Sequence, residues 1–136
     1  MITAVDTNVL LDVFFPDPTF GPLSKESLRA ASGEGALIIC EAAYAEVAGL
    51  FSEKSDLDAF LRETGIRLSP STPETLFKAG HLWRKANLNR PHSSSPARRL
   101  LADFLIGAHA LLQAERLLTR DKGFYRSAFT GLRLVG

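Results

Sequence analysis

Ile2-Thr3-Ala4-Val5-Asp6 is a short apolar run that closes on a carboxylate, and Leu117-Leu118-Thr119-Arg120-Asp121 closes the same way more than a hundred residues later. Both read as short buried strands, because short apolar runs bounded by polar residues suit a sheet covered on both faces. Working outward, further strands are expected near residues 36 to 39, 66 to 68 and 132 to 135, beside those at 2 to 5 and 116 to 119. Helical patterns separate them. Strands alternating with helices predict an α/β fold with a central parallel sheet of four to five strands.

The connecting segments carry their own punctuation. Asp17-Pro18-Thr19-Phe20-Gly21-Pro22 reads as a loop, followed by a helix from Ser24 to about Ala31 that Gly33 ends. Glu46 lies in a helix running to about Phe51, and Ser55 is a candidate cap for another that stops at Gly65. Thr72-Pro73 is a strong helix start, since threonine caps and proline at the first helical position sacrifices no bond. That helix is expected to reach about Asn89. Pro91-His92-Ser93-Ser94-Ser95-Pro96, flanked by Arg90 and by Arg98-Arg99, reads as a linker within the domain. The helix carrying Asp103 and a helical turn through Gly123-Phe124-Tyr125 complete the pattern.

The 136 residues suit one domain, 1–136, with enough apolar content for a core. The formal net charge of +1 conceals an uneven distribution: acids are frequent up to Glu74, and basic residues crowd Lys78 to Arg126. That asymmetry allows an anionic partner. The single cysteine, Cys40, excludes an internal disulfide and suits a reducing compartment. With no secretory leader pattern and no apolar stretch near the ~20 residues that span a bilayer, a soluble, cytoplasmic protein is expected.

Four carboxylates stand among apolar neighbours: Asp6 and Asp121 at strand ends, Glu46 and Asp103 inside mostly apolar helices. A charge held away from water costs several kcal/mol, roughly, unless it is paired or bound to a metal. Ligands of open parallel sheets bind beyond the carboxyl ends of the strands, where all four acids could meet. Close carboxylates repel, so the set points to Mg²⁺ or Mn²⁺, hard cations that prefer oxygen. Simpler roles compete. Asp6 could cap the turn after the first strand, Asp103 could be a first-turn acid favoured by the helix dipole, and Glu46 could belong to a solvated face. Glu41 is a rival to Glu46, but five residues place them some 140° apart, at about 100° per residue, and Glu41 suits its helix N-terminus. Asp12 reads as a helix-end or surface acid. The histidines form no ligand set: His109 points about 120° away from Asp103, His81 reads as surface, and His92 sits where it could touch substrate. Trp83 with Arg84-Lys85 could stack RNA bases, though a core tryptophan fits better. Arg90, Arg98 and Arg99 are the candidate phosphate contacts.

Asp6-Thr7-Asn8-Val9-Leu10-Leu11-Asp12, the interior Glu46, Asp103 with Ile106-Gly107-Ala108-His109-Ala110, and Leu118-Thr119-Arg120-Asp121-Lys122-Gly123-Phe124 together resemble the PIN domain, specifically VapC-type toxins of bacterial toxin–antitoxin pairs. The resemblance covers essentially the whole chain. It implies a three-layer α/β/α fold, Mg²⁺ or Mn²⁺ dependence, RNA cleavage by an activated water, homodimerisation and a VapB-like antitoxin. Position by position, it selects Asp6, Glu46, Asp103 and Asp121 as metal ligands, with Thr7, Asn8 and Thr119 as polar neighbours that hold them. Two positions depart from the pattern. Phe124 and Tyr125 stand where some relatives carry a further acid, and Gly107-Ala108 replaces the usual Ala-Ala pair, a change expected to leave the site unaltered. A structure-specific DNA nuclease on the same scaffold, or a non-catalytic metal- and partner-binding module, are the competing readings. A phosphoacceptor receiver is excluded, because Ile66-Arg67-Leu68-Ser69 ends in no aspartate and Val135-Gly136 in no lysine. Leu50, Phe51 and Phe60 are expected to supply apolar surface for an interface.

Overall fold

The computed structural model of the chain describes residues 1–88 and 100–136. Five strands form one sheet: β1 (Thr3–Val5), β2 (Leu37–Ile39), β3 (Ile66–Leu68), β4 (Arg116–Leu118) and β5 (Leu134–Val135). Their order is β3-β2-β1-β4-β5 and every pairing is parallel. The helices are α1 (Thr7–Phe14), α2 (Gly21–Glu34), α3 (Glu41–Ala48), α4 (Lys54–Thr64), α5 (Pro73–Asn87), α6 (Leu101–Gln113) and α7 (Lys122–Ala128). They cover the sheet as the outer layers of an α/β/α sandwich, the architecture expected when parallel strands are joined by helical crossovers.

The three central strands are interior, and the edge strands β3 and β5 are more exposed. β1, β2 and β4 are buried at all three positions, and Val5, Ile39, Leu117 and Leu118 are among the least exposed residues. Burial of Arg116 in this layer is made tolerable by its Nε–H donating to Thr3 Oγ1 at 2.8 Å and by an ion pair with Glu34 at 3.3 Å. Connections run outward from β1 in one direction to β2 and β3, then return to β4 on its other side. The switch in direction therefore falls between β1 and β4, where open parallel sheets leave a crevice at the carboxyl ends. Val5 pairs with Leu118, so Asp6 and Thr119 emerge side by side at that crevice.

Several local expectations need correction. The stretch after β1 is no mere turn but an eight-residue helix, α1, whose Val9 and Leu10 enter the core. α2 begins at Gly21 rather than Ser24, because Asp17 Oδ1 accepts the N–H groups of Thr19 and Phe20 and orders the lead-in. Gly33 lies within α2, which ends at Gly35, where φ is 155° and a side chain would collide with Met1. Glu53, not Ser55, occupies the N-cap position of α4. Gly65 does end α4 in the left-handed region, at φ 72°, and Thr72 caps α5 by accepting from Thr75 N–H at 3.2 Å. Phe51 and Phe60 pack with Phe14 in a half-buried aromatic cluster, leaving Leu50 as the exposed member of the expected apolar surface. Trp83 is half-buried against the core. Among the described residues no helix is long and apolar enough to cross a membrane.

Candidate active site

Asp6 occupies the N-cap position of α1, yet its side chain does not cap the helix. Its Oδ2 instead accepts the Thr119 hydroxyl at 2.7 Å, and the Tyr125 hydroxyl also donates to this carboxylate. Thr119 in turn accepts the Asp121 N–H at 2.9 Å, so one hydroxyl joins the first and fourth acids of the sequence set. Asp6 is 6% exposed. Burial pushes its carboxyl up to about 6, against the lowering effect of bonds from Thr119, Tyr125 and the Thr7 backbone, and the charge of Asp103 adds to the rise. Asp103 itself lies in the first turn of α6, half-buried, and accepts the Leu100 N–H at 3.3 Å.

Tyr125 is the hub of this arrangement. It is buried in α7, and its phenol is driven well above its ordinary value, first by burial and then by the charges of Asp6, Asp103 and Asp121 around it. A phenol in that setting stays protonated and donates. In the sequence Tyr125 reads only as part of a helical turn and as a position without the further acid of some relatives. A usable signal was present, since a tyrosine placed in a buried segment needs a partner for its hydroxyl.

Glu46 reaches the site from α3 through Thr7, whose hydroxyl donates to Glu46 Oε1 at 2.8 Å. Contrary to the expectation of burial, Glu46 is exposed, because Ala43 and Val47 form the buried face of the short α3. Asp121 is half-buried. Of the four acids, Asp6 alone fits the original picture of a charge withdrawn from water. Glu41 is committed elsewhere: its Oε1 accepts both the N–H and the hydroxyl of Ser71, at 3.0 and 2.7 Å. His109, buried in α6, donates from Nε2 to the Ser69 carbonyl at 2.7 Å. Asn8 meets the Arg120 N–H at 3.4 Å rather than a carboxylate. Arg90, His92, Arg98 and Arg99 lie outside the described residues.

Asp12 is not a surface acid. It is 4% exposed and accepts a two-pronged contact from Arg120, Nε to Oδ2 at 2.6 Å and Nη2 to Oδ1 at 2.9 Å, together with the Ser24 hydroxyl at 2.6 Å. Arg120 also lies 4.1 Å over the Phe20 ring. Helices α1 and α2 thus grip the residue between Thr119 and Asp121, fixing the loop that presents both.

Oxygen donors of carboxylate and hydroxyl type converge on the mouth of this crevice. Among the described residues no three His, Cys, Asp or Glu side chains stand close enough to enclose an ion as they are. The donor chemistry nevertheless fits a hard divalent cation: it offers no sulfur or imidazole, and a buried Asp6 under the charge of Asp103 gains most from a neighbouring positive charge.

The PIN domain family model matches residues 3–130, and the chain belongs to the PIN domain family, a family of nucleases. Among solved structures it is similar to VapBC2 from Rickettsia felis bound to a DNA fragment from their promoter, at 19% identity over 99% of this chain and 98% of that one, with a TM-score of 0.69. It is also similar to VapBC-1 from nontypeable Haemophilus influenzae, at 20% identity over 99% and 97% with a TM-score of 0.65. A toxin–antitoxin complex from Klebsiella pneumoniae matches at 20% identity over 98% and 96%, again with a TM-score of 0.65. At these identities the likeness is one of fold. No curated protein matches the chain.

Proposed function

We propose that this protein is a metal-dependent endoribonuclease of the VapC type, with Asp6, Glu46, Asp103 and Asp121 holding Mg²⁺ or Mn²⁺. The observation that carries the reading is the Asp6-centred network at the switch point, in which Thr119 and Tyr125 fix a buried carboxylate among further acids. A hydrogen-bonded set of acids at that position suits divalent-cation phosphodiester chemistry better than a capping or structural role. Bound there, the cation would supply Lewis-acid chemistry, acidifying water and offsetting phosphate charge.

The chain's own contribution is orientation. Thr119 and Tyr125 hold Asp6, and Thr7 holds Glu46. Thr119 also ties down the backbone of Asp121, and the Leu100 N–H steadies Asp103. Tyr125 keeps its proton on the hydroxyl and so contributes no competing negative charge. The Arg120 contacts to Asp12 and Phe20 keep the Thr119–Asp121 segment in place. The fold likeness to VapBC structures and to a toxin–antitoxin complex supports a VapB-like antitoxin as partner, and a homodimer belongs to the same reading. The reducing cytoplasm is the compartment that suits it.

Cleavage of labelled single-stranded RNA and flapped DNA, with Mg²⁺ or Mn²⁺ and with EDTA, tests the reading. RNA cleavage that requires the metal is expected, with Asp6→Asn and Asp121→Asn each reducing it more than about 100-fold, since even the outer partners of metal ligands are worth about 10- to 100-fold. Full activity of Asp6→Asn in excess Mg²⁺, or cleavage confined to flapped DNA, would overturn it.

A further inference from the structure

A groove of about 450 Å³ runs between α5, α6 and α7. It starts at Phe104, the residue after Asp103, and extends along α6 to Leu111, about 10 Å further at 1.5 Å per residue. Lys78 and Lys85 line it from α5, and Ser127 and Thr130 line it from the end of α7 and the turn beyond. Seven residues apart, the two lysines fall on the same side of α5, again about 10 Å from one another along the axis. Both are exposed, and among the described residues no carboxylate neutralises either.

The wider charge distribution reinforces this. Eleven of the sixteen Lys and Arg residues, but only three of the fifteen Asp and Glu, lie from Lys78 onward. Two of those three acids are Asp103 and Asp121, and the third, Glu115, accepts the Ile2 N–H. Apart from Glu115, the half of the chain that builds the groove is therefore acidic only at the proposed site. A strand of phosphates would be drawn along the lysines toward the acids, where a cation would offset the repulsion.

We propose that this groove is the track on which single-stranded RNA lies as it reaches the carboxylates. Lys78 and Lys85 neutralise its phosphates, and Ser127 and Thr130 meet its phosphate or ribose oxygens. The lysine spacing matches about three stacked nucleotides at 3.4 Å each. The inference rests on the ribonuclease reading above and adds the route of the substrate to it.

Fluorescence anisotropy with a labelled 15-nucleotide RNA carrying 2′-O-methyl groups, titrated at several salt concentrations, measures binding without cleavage. The Lys78→Ala/Lys85→Ala protein is expected to bind roughly tenfold more weakly at low salt, and its log–log salt slope to fall by about 1.4, from two phosphate contacts at about 0.7 each. Lys78→Arg/Lys85→Arg should bind like the wild type. The alanine pair should raise KM for long RNA with little change in kcat, and thermal melting should match the wild type because both side chains are exposed. Wild-type binding with an unaltered affinity and salt slope in the alanine pair would overturn the groove assignment alone. The same holds if the alanine pair weakens only self-association, which would give the groove to a protein partner. A wild type that neither binds nor cleaves RNA would overturn the ribonuclease reading itself, and the groove with it.

Discussion

Burial sets the protonation of Asp6, and the sign of its effect on stability follows. Its carboxyl titrates at about 6 in the folded chain against an ordinary 3.8. The protonated form is the one the fold favours, so the contribution is complete below about pH 4 and is lost as pH rises through 6. At roughly 1.4 kcal/mol per unit this amounts to at most about 3 kcal/mol. In EDTA, Asp6→Asn should therefore melt several degrees above the wild type at pH 8 and close to it at pH 4. Added Mn²⁺ should raise the melting temperature of the wild type at pH 8 and leave the variant unmoved. Lower stability of the variant at both pH values would contradict the assignment. The residue scale is also where the sequence was least legible. Asp6 and Asp121 announce themselves by ending apolar runs, but the partners that position them are hydroxyls brought in by tertiary structure. Tyr125 lies 119 positions from Asp6 in a segment that reads as plain aromatic packing.

At the scale of elements, the clasp of α1 and α2 on the Thr119–Asp121 segment makes a separate claim. Removing Arg120 leaves Asp12 buried with Ser24 as its remaining side-chain partner. Breaking a buried pair costs about 3–5 kcal/mol, and the 37% exposure of the Arg120 side chain brings the expected loss for Arg120→Ala to about 2 kcal/mol. Removing Asp12 as well should cost less than the two single changes added together, which urea denaturation in a double-mutant cycle would measure. Gly107 belongs to the same scale. Glycine in place of the usual alanine is expected to leave the site unaltered, and here it has a packing reason: an added methyl would run into the Phe129 ring, which packs across α6 there. Gly107→Ala is expected to destabilise by about 1–3 kcal/mol, with Gly107→Ala/Phe129→Leu recovering part of it; additivity in thermal melts would count against the clash. The central strands β1, β2 and β4 were readable because they are buried at every position and their runs are mostly apolar. α1 was not, since Thr7, Asn8 and Asp12 interrupt its apolar periodicity, and Asp12 becomes interior through a partner 108 positions away.

For the whole molecule, the two halves of the sequence divide the labour. The acidic first half supplies Asp6 and Glu46, and the basic second half supplies Asp103, Asp121 and the lysine-lined groove. The parallel sheet keeps them together, because β1 sits at its centre and takes one neighbour from each half. This placement bears on synthesis. Asp6 leaves the ribosome before the hydroxyl that orients it, Thr119, which follows 113 residues later. Until β4 has been made and has docked against β1, the nascent chain holds its first carboxylate without the groups that position it. On the ribonuclease reading proposed above, a site assembled in this way is expected to be inert until its last strands dock, an order of synthesis that would spare the messenger and ribosome producing it.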